Sequence, residues 1–347
     1  MSVLTWLQLI DSYVTGKDGH SIRVKNGKKK AKSSGKTSNT VPSNLFKLGV
    51  LIITVVPLIL YVSSGKKAHI SIDSQASSPD KEPLEAEEIE EYHSFLGTTE
   101  QHFSEISLHE VPCHPTGYKK EAEVGVIPQR CGTMVTDELL NKTDVLKLRR
   151  MAMKIIDKIG DTNFHNRESI NLKWVNLHNV FRKGPSAGVF SEKDFKLVSK
   201  AAEAARTAVS IAFGLPEEFV WFHGVCQFTR YHPVVPYREF RHVDKVRSPN
   251  LIVTSILWLS TVDEDFGGGR TEFLTGPGPE PFTPLLVEPK IGRFAAWTSS
   301  HENPHGVHEV LFGNRYALIF AFTVLQNVGH PNMDSFREWA TTTDALK

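Results

Sequence analysis

This chain of 347 residues has few cysteines and almost no net charge. Three cysteines are too few for the disulfide framework that holds small secreted scaffolds together. The 40 basic and 39 acidic side chains leave a formal net charge of +1. Dedicated nucleic-acid binders carry a clear basic excess, so no nucleic-acid partner is predicted. Hydrophobic residues make up 40% of the chain, which excludes disorder throughout.

The N-terminal end departs from this balance. Residues 1–47 hold nine lysines and arginines against two aspartates. The polar composition of residues 1–45 predicts a disordered basic arm, which could bind anionic lipid or nucleic acid but which we interpret as a solvated tail. Residues 46–64 carry no charge apart from Lys47, and residues 48–62 are almost wholly apolar, so the stretch can span a bilayer as one helix. A core helix would be amphipathic, and a cleavable signal peptide would not follow so long an arm.

Charge on the two sides of this stretch predicts its orientation. The positive-inside rule places the N-terminus in the cytosol and residues 66–347 in the lumen of the endoplasmic reticulum or Golgi, as a single-pass type II protein with a signal anchor. Residues 65–130 begin as an acidic stalk and then carry Cys113, and Cys131 comes directly after this segment. In an oxidising lumen these can pair and close a loop of 19 residues. Asn141 begins the only N-glycosylation sequon, whereas Cys226 is predicted to be a buried apolar residue.

Two helices are predicted within residues 131–218, a region of helical supports. One starts at a Thr136 cap and ends at Gly160, and the other starts at a Ser191 cap and ends at Gly214. From Phe219 onward, short β-rich runs favour a sandwich or barrel over residues 219–326, followed by a C-terminal tail at 327–347. These runs are Val220–Tyr231, Leu251–Ser260, Leu285–Glu288, Arg293–Thr298 and Tyr316–Leu325.

The residues with chemical potential lie in this β-rich region. His242-Val243-Asp244 places an imidazole and a carboxylate at i and i+2, and alternate residues of a strand share a face, so both can bind one metal ion. A third ligand is available among His301, His305 and His308. Two histidines and one carboxylate form the facial triad of non-haem Fe(II) oxygenases, which leaves positions for a chelating co-substrate and O₂.

Several motifs, in this order, resemble the iron- and 2-oxoglutarate-dependent dioxygenases of the prolyl-4-hydroxylase-like branch. The His-x-Asp at 242–244 precedes a Gly-Gly-x-Thr-x-Phe hairpin at 268–273, then His305, and then Arg315 ten residues later. Residues 289–297 also resemble the family's strand before the distal histidine. The resemblance spans residues 225–325 and implies an α+β fold, a double-stranded β-helix or jelly roll with supporting helices, here preceded by a single transmembrane helix.

The resemblance also implies roles. His242, Asp244 and His305 would hold Fe(II), and the Arg315 guanidinium would bind the far carboxylate of 2-oxoglutarate. L-ascorbate would be the reductant. The expected reaction hydroxylates a protein or peptide side chain and releases succinate and CO₂. The sequence specifies neither the hydroxylated residue nor an oligomeric state.

The third metal ligand is selected among these histidines by its sequence spacing from Arg315. Arg315 lies ten residues after His305, and strand alternation places His308 on the face opposite to His305. His301 and His308 are therefore predicted to lie at the surface or to support the ligands. Tyr231 and Tyr237 precede His242 out of register with the family's tyrosines, so they are assigned no role.

Two other classes of function remain open at this stage. Asp263-Glu264-Asp265 is a DxD motif that could hold a divalent cation in a type II, Golgi-like glycosyltransferase, although no alternating strand–helix pattern precedes it. A non-catalytic jelly-roll binding module would keep the fold without turnover. Intact His242, Asp244 and His305 together with Arg315 favour the oxygenase.

Overall fold

The computed structural model describes residues 94–160, 172–234, 239–274 and 284–342. Within these ranges the α-helices are α1 (Lys119–Glu123), α2 (Lys142–Ile159), α3 (Leu177–Lys183), α4 (Glu192–Phe213), α5 (Asp244–Arg247) and α6 (Met333–Thr342). The strands are β1 (Ser94–Gly97), β2 (Ser107–Val111), β3 (Cys131–Thr136), β4 (Leu172–Asn176), β5 (Trp221–His223), β6 (Gln227–Tyr231), β7 (Glu239–His242), β8 (Val253–Trp258), β9 (Phe266–Gly268), β10 (Thr271–Phe273), β11 (Leu285–Val287), β12 (Phe294–Thr298), β13 (His305–Val307), β14 (Val310–Gly313), β15 (Arg315–Thr323) and β16 (Gly329–His330).

Two β-sheets pack face to face, as the predicted jelly roll requires. The larger sheet has the order β16-β5-β15-β8-β12-β3-β2, and β6 joins it by pairing with β15 and β4. The smaller sheet has the order β1-β11-β10-β13-β7. Trp258, Phe273 and Trp297 belong to one buried cluster that draws residues from both sheets. The interior between the sheets is therefore where strand side chains of the two layers meet.

The side chains of strand β15 point alternately into two buried regions, the cavity between the sheets and the core under the helices. Arg315, Ile319 and Ala321 line the cavity between the sheets. Leu318 and Phe320 point the other way, into the cluster that the helices cover. Because successive side chains of a strand face opposite ways, one strand contributes to the cavity and to the helix-packed core at once.

Helix α4 begins and ends as predicted. The Ser191 side chain accepts from the backbone N–H of Asp194 while the Asp194 carboxylate accepts from the backbone N–H of Ser191, which forms a capping box. Gly214 ends the helix in the left-handed conformation, at φ 65°. The buried face of α4 packs in the cluster on the outer side of the larger sheet. The helix is thus a support, as its sequence pattern indicates.

Three of the predicted boundaries are wrong. Thr136 ends β3 and caps no helix, because Asn141 supplies the side chain that accepts from the N–H of Asp144 and so starts α2. The run Val220–Tyr231 is divided into β5 and β6, which pair with different parts of β15. Strands β3 and β4 lie within the region predicted as helical supports, residues 131–218, and both belong to the larger sheet.

The C-terminal segment is folded rather than a tail. Strand β16 pairs with β5, and α6 buries Met333, Phe336 and Ala340 against the core. The apolar spacing at 333, 336 and 340 matches one face of a helix, which a tail would not need. Residues 327–342 therefore close one side of the fold.

The predicted basic arm and membrane span, 1–45 and 46–64, lie outside the described residues, as does the acidic part of the stalk. Across the residues that are described, no helix combines the length and the apolar character needed to cross a bilayer. Cys113 and Cys131, both described, are joined in a disulfide. Cys226 is buried beside Ala321, and burial raises the pKa of its thiol to about 12, in keeping with an apolar role.

Candidate metal centre

Three side chains from different elements converge in the cavity between the sheets. His242 ends β7, Asp244 begins α5 and His305 begins β13. One ligand atom of each lies within 4.8 Å of the others. In the described part of the chain, no other group of three His, Cys, Asp or Glu is gathered so closely. The structure thus brings together the three residues that sequence spacing selected.

Local backbone conformation explains this convergence. Val243 is extended, at φ −117° and ψ 124°, so the His242 and Asp244 side chains project to the same side. Strands β7 and β13 are antiparallel neighbours in which His242 pairs with His305. The two imidazole centroids are consequently 4.4 Å apart. The His-x-Asp motif and the distal histidine meet because they are cross-strand neighbours.

A hydrogen bond fixes the tautomer of His305. Its Nδ1 lies 3.0 Å from the main-chain oxygen of Asn303, and because a carbonyl can only accept, Nδ1 carries the proton. Nε2 is therefore the nitrogen left to face the metal position, and it lies 3.7 Å from Asp244 Oδ2. This is the arrangement in which a histidine can bind a metal through Nε2.

The Asn303 side chain, which sequence reasoning missed, anchors the loop before His305. Its buried amide donates to the main-chain oxygens of Gly132 in β3, at 3.2 Å, and Thr298 in β12, at 2.8 Å. Its Oδ1 accepts from the hydroxyl of Thr133 at 3.4 Å. The position of His305 thus depends on two strands of the larger sheet.

Asp244 is held as a carboxylate. Burial would raise its pKa, but attraction to His305 and hydrogen bonds from His242 and Thr254 outweigh burial and hold the pKa well below its usual range. The indole N–H of Trp297 also donates to Asp244 Oδ2 at 2.9 Å, a contact that the sequence did not predict. An anionic oxygen flanked by two imidazoles is a suitable donor set for a divalent transition metal.

Arg315 is a buried cation in the same cavity. It is 1% exposed and begins β15, as predicted. Its Nε donates to the main-chain oxygen of Gly269 at 2.9 Å, and its Nη2 donates to Thr271 Oγ1 at 2.9 Å. Its guanidinium carbon lies 5.6 Å from the ring centroid of Tyr231 and 5.9 Å from that of Trp258. These contacts aim a permanent positive charge at a fixed place in the interior.

The Gly-Gly-x-Thr-x-Phe motif contributes to both halves of the site. Thr271 contacts Arg315, and two residues further along β10 the Phe273 ring lies 5.7 Å from that of His305. Two residues of a strand span roughly 7 Å. The guanidinium and the metal ligands are therefore separated along β10 by a distance that a five-carbon dicarboxylate can bridge.

The cavity fits such a molecule. Its volume is about 230 Å³, and its lining includes His242, Asp244, His305, Thr271 and Arg315. Among the described residues, Thr229 Oγ1 and Trp258 Nε1 are buried without a hydrogen-bond partner. Both residues pair with Ala317, two positions from Arg315 on the same strand. Of these two residues Thr229 lines the cavity, and because buried polar atoms are normally paired, its hydroxyl favours a polar ligand group there.

The two rejected histidines lie away from the metal ligands. His308 Nε2 is 3.1 Å from Glu272 Oε2. Glu272 alternates with Thr271 and Phe273, so it faces away from the cavity, as predicted for His308. His301 is exposed, and its ring centroid lies 5.0 Å from that of His114.

Tyr231 lines the cavity beneath Arg315, although its spacing from His242 suggested no role. Tyr237 lies outside the described residues.

The two aspartates of the DxD motif are paired with different arginines. Asp263 accepts from Arg270 at 3.2 Å, and Asp265 accepts from Arg149 at 3.0 Å and from the backbone N–H of Thr261 at 2.8 Å. These two carboxylates are used in separate ion pairs around a turn, which removes the observation behind the glycosyltransferase alternative.

Comparison with known proteins agrees with this geometry. Residues 226–323 match the 2OG-Fe(II) oxygenase superfamily. The chain is 32% identical over 226 residues to mouse 2-oxoglutarate and iron-dependent oxygenase domain-containing protein 3, covering 62% of this chain and 70% of the relative. The human protein of that name is 31% identical over the same length, covering 62% and 69%. A prolyl-4-hydroxylase structure from Pseudomonas putida is 20% identical, covers 56% of this chain and 92% of its own, and has a TM-score of 0.41.

Proposed function

Because this chain belongs to the 2OG-Fe(II) oxygenase superfamily, whose members use Fe(II) and 2-oxoglutarate, we propose that it is a membrane-anchored hydroxylase of protein side chains. The observation that carries the catalytic part is the shared cavity. It contains two imidazoles and a carboxylate that could hold a metal, and a buried arginine lines the same cavity. An arrangement with only one of these two features would not support the reaction.

The protein's own residues supply position and charge. His242, Asp244 and His305 would hold Fe(II), with Asn303 fixing the proton of His305 on Nδ1. Arg315 would bind the far carboxylate of 2-oxoglutarate through charge-assisted hydrogen bonds. When bound, Fe(II) supplies the O₂ chemistry in which 2-oxoglutarate, O₂ and a C–H bond yield succinate, CO₂ and an alcohol. L-ascorbate is the proposed reductant that keeps the iron ferrous.

The cavity walls select the co-substrate by length and charge. Ile256, Ile319 and Val307 provide apolar lining between the metal ligands and Arg315. A dicarboxylate thus meets the charged groups at its two ends and apolar walls between them. We propose that the substrate is a protein or peptide side chain, as the resemblance to the prolyl-4-hydroxylase-like branch implies.

The proposed location is the lumen of the endoplasmic reticulum or Golgi. Basic residues before 46–64 and acidic residues after it support a type II topology. The Cys113–Cys131 disulfide supports an oxidising compartment, since such bonds are rare in the cytosol. The chain would then act on proteins that pass through the secretory pathway.

Succinate release tests the catalytic proposal. The full chain in detergent, supplied with Fe(II), ascorbate, O₂ and 2-oxoglutarate, should release succinate in an Fe(II)-dependent manner. His305→Ala should lose iron and turnover because the facial triad is incomplete. His308→Ala is the matched control and should keep both, because His308 faces Glu272. A wild-type protein that binds iron but never turns over would instead be a non-catalytic binding module.

A further inference from the structure

Trp297 lies between two of the metal ligands. Its indole N–H donates to Asp244 Oδ2 at 2.9 Å, and its ring centroid is 4.7 Å from that of His305. The Phe273 ring packs edge-to-face on the indole, with 5.2 Å between the ring centroids, and Trp297 is 5% exposed. Strand β12, which carries Trp297, is hydrogen-bonded on both sides, to β3 and β8. The direction of the N–H is therefore determined by packing on every side.

The carboxylate of Asp244 can bind a metal in two ways. One oxygen occupies one coordination position, and two oxygens occupy two. An octahedral metal with three protein ligands has three positions left. A chelating 2-oxo acid requires two of these and O₂ the third, so an aspartate that binds through both oxygens blocks a position that the reaction needs.

We propose that Trp297 is a positioning residue that keeps Asp244 a one-oxygen ligand. The indole N–H engages Oδ2, which leaves Oδ1, 3.5 Å from His242 Nε2, as the oxygen for the metal. Hydrogen bonds to an ionised carboxylate are about twice as strong as neutral ones, so turning Oδ2 toward the metal has a cost while the indole is present. The inference rests on the proposed function, since it concerns the iron site.

Loss of this hydrogen bond has a specific consequence. Without the indole N–H, Oδ2 is available as a second metal ligand, and the 2-oxo acid must displace it. The affinity for 2-oxoglutarate should fall while the affinity for the metal is maintained. A residue that only supports the fold would lower both affinities together or the thermal stability alone.

The experiment uses Trp297→Phe, which keeps an aromatic ring and removes the donor. The full chain in detergent is loaded anaerobically with Fe(II), and bound metal and 2-oxoglutarate affinity are measured separately, the latter from the visible absorption of the iron–oxo acid chelate. We expect full metal occupancy and an affinity for 2-oxoglutarate lowered at least about tenfold. Trp174→Phe, in β4 against a separate cavity, is the matched control and should change neither quantity.

The possible outcomes separate the two proposals. The role of Trp297 would be overturned if the variant kept its 2-oxoglutarate affinity at full metal occupancy. It would also be overturned if the variant lost metal and saturating Fe(II) restored both metal occupancy and co-substrate binding. If the Phe variant unfolds, Trp297→Tyr takes its place, because tyrosine keeps the ring packing with a differently placed donor. The same two quantities, metal occupancy and 2-oxoglutarate affinity, are then compared with those of the wild type. A wild-type protein that binds no Fe(II) would refute the proposed function itself.

Discussion

Arg315 shows at the scale of one residue why the site is selective. A buried guanidinium is tolerated only when its donors have acceptors, and Gly269 and Thr271 satisfy two of them. A monocarboxylic 2-oxo acid could bind the metal but would leave this end of the cavity without its anion. In the proposed function, recognition of the second carboxylate would depend on the same residue that begins β15.

Replacing Arg315 tests this argument. Removing one partner of a buried charge pair costs about 2–5 kcal/mol. At about 1.4 kcal/mol per decade, Arg315→Ala should raise the apparent KM for 2-oxoglutarate roughly 30-fold or more. Arg315→Lys should be milder, because a point charge keeps the attraction and loses the fork. Bound iron should stay near the wild-type level in both variants. An iron-loaded Arg315→Ala protein with a normal KM would contradict the assignment.

The residues predicted from sequence are those with a fixed spacing. The i, i+2 geometry of a strand connects His242 with Asp244. A ten-residue spacing connects His305 in β13 with Arg315 in β15, although these two strands belong to different sheets and are not paired. Trp297 and Asn303 could not be predicted, because their roles depend on which strands are neighbours. Trp297 reaches Asp244 only because its strand lies across the interior from α5, and Asn303 reaches Gly132 across 171 residues of chain.

At the scale of elements, the turn between β9 and β10 positions the arginine. Gly269 has φ 63°, and a Cβ built there would lie 2.9 Å from Phe266 and Val310 and 3.1 Å from Arg315 Cδ. The glycine thus serves two purposes, since it adopts a left-handed conformation and lets the backbone approach the guanidinium. Its carbonyl is the acceptor for Arg315 Nε.

Gly269→Ala should therefore damage co-substrate binding as well as stability. The left-handed conformation alone costs about 1–2 kcal/mol for a residue with a Cβ. Gly125→Ala is the matched control, since Gly125 has φ 77° and a Cβ there would meet nothing within 4 Å. Both variants should lose unfolding free energy, measured in denaturant, and Gly269→Ala should lose more because its Cβ also meets Phe266 and Val310. Only Gly269→Ala should also raise the KM for 2-oxoglutarate, and equal KM values would refute the positioning role of the turn.

Helix α6 is attached through a cluster of histidines. Trp339 lies 4.9 Å from His178 of α3 and 4.7 Å from His330 of β16, measured between ring centroids. Strand β5 contributes His223, opposite Gly329. Burial lowers the pKa of His178, with the charges of Arg182 and Lys183 adding to the effect. Burial also lowers the pKa of His223, and of His330 together with the charge of His223.

Docking of α6 should consequently weaken in mild acid. The pKa of such a histidine is lower in the folded chain than its ordinary value of 6.5. Between these two pH values the histidine is protonated in the unfolded chain and neutral in the folded one. The stability it gives is complete above pH 6.5 and is lost as pH falls toward the folded pKa. Amide exchange at 333–342, corrected for its intrinsic rate, should rise between pH 7.5 and 5.5. Exchange within α4, which contains no histidine, is the internal control and should be unchanged. Equal protection of α6 at both values would contradict the prediction.

Element boundaries were predictable where a local signal stands alone. Ser191 and Gly214 delimit α4 because no competing cap lies near them. Thr136 was misleading because β3 pairs with β12, and this distant pairing extends the strand through Thr136. A cap can be recognised in sequence, whereas a strand that ends at the same residue depends on its partner.

At the scale of the whole molecule, Asn141 connects fold and location. It is exposed, and its side chain caps α2 by accepting from the N–H of Asp144 at 2.9 Å. A direct replacement of this asparagine can therefore disturb the helix as well as remove a glycan. Thr143→Ala abolishes the sequon and leaves the cap in place, which makes it the cleaner variant.

Topology and glycosylation can be measured together in sealed microsomes. The luminal orientation predicts that residues 66–347 resist added protease until detergent is present. It also predicts an endoglycosidase-sensitive mobility shift that Thr143→Ala removes. Asn141→Asp retains a capping carboxylate but loses the hydrogen bond from the Asn141 amide to Asp144 Oδ2 at 3.0 Å, and it should remove the shift too. Digestion of the domain in intact vesicles would refute the orientation.

Firm placement of His305 would depend on a disulfide that lies elsewhere in the chain. Cys131 begins β3, and the next residue, Gly132, supplies the carbonyl that holds Asn303, whose own carbonyl orients His305. Closing a loop of this size stabilises the folded chain by about 3 kcal/mol. A newly made chain with reduced thiols would hold this edge of the sheet, and hence His305, less firmly. Competence to retain iron would therefore be acquired during biosynthesis, after disulfide formation, and immature copies would not withdraw iron from the cell.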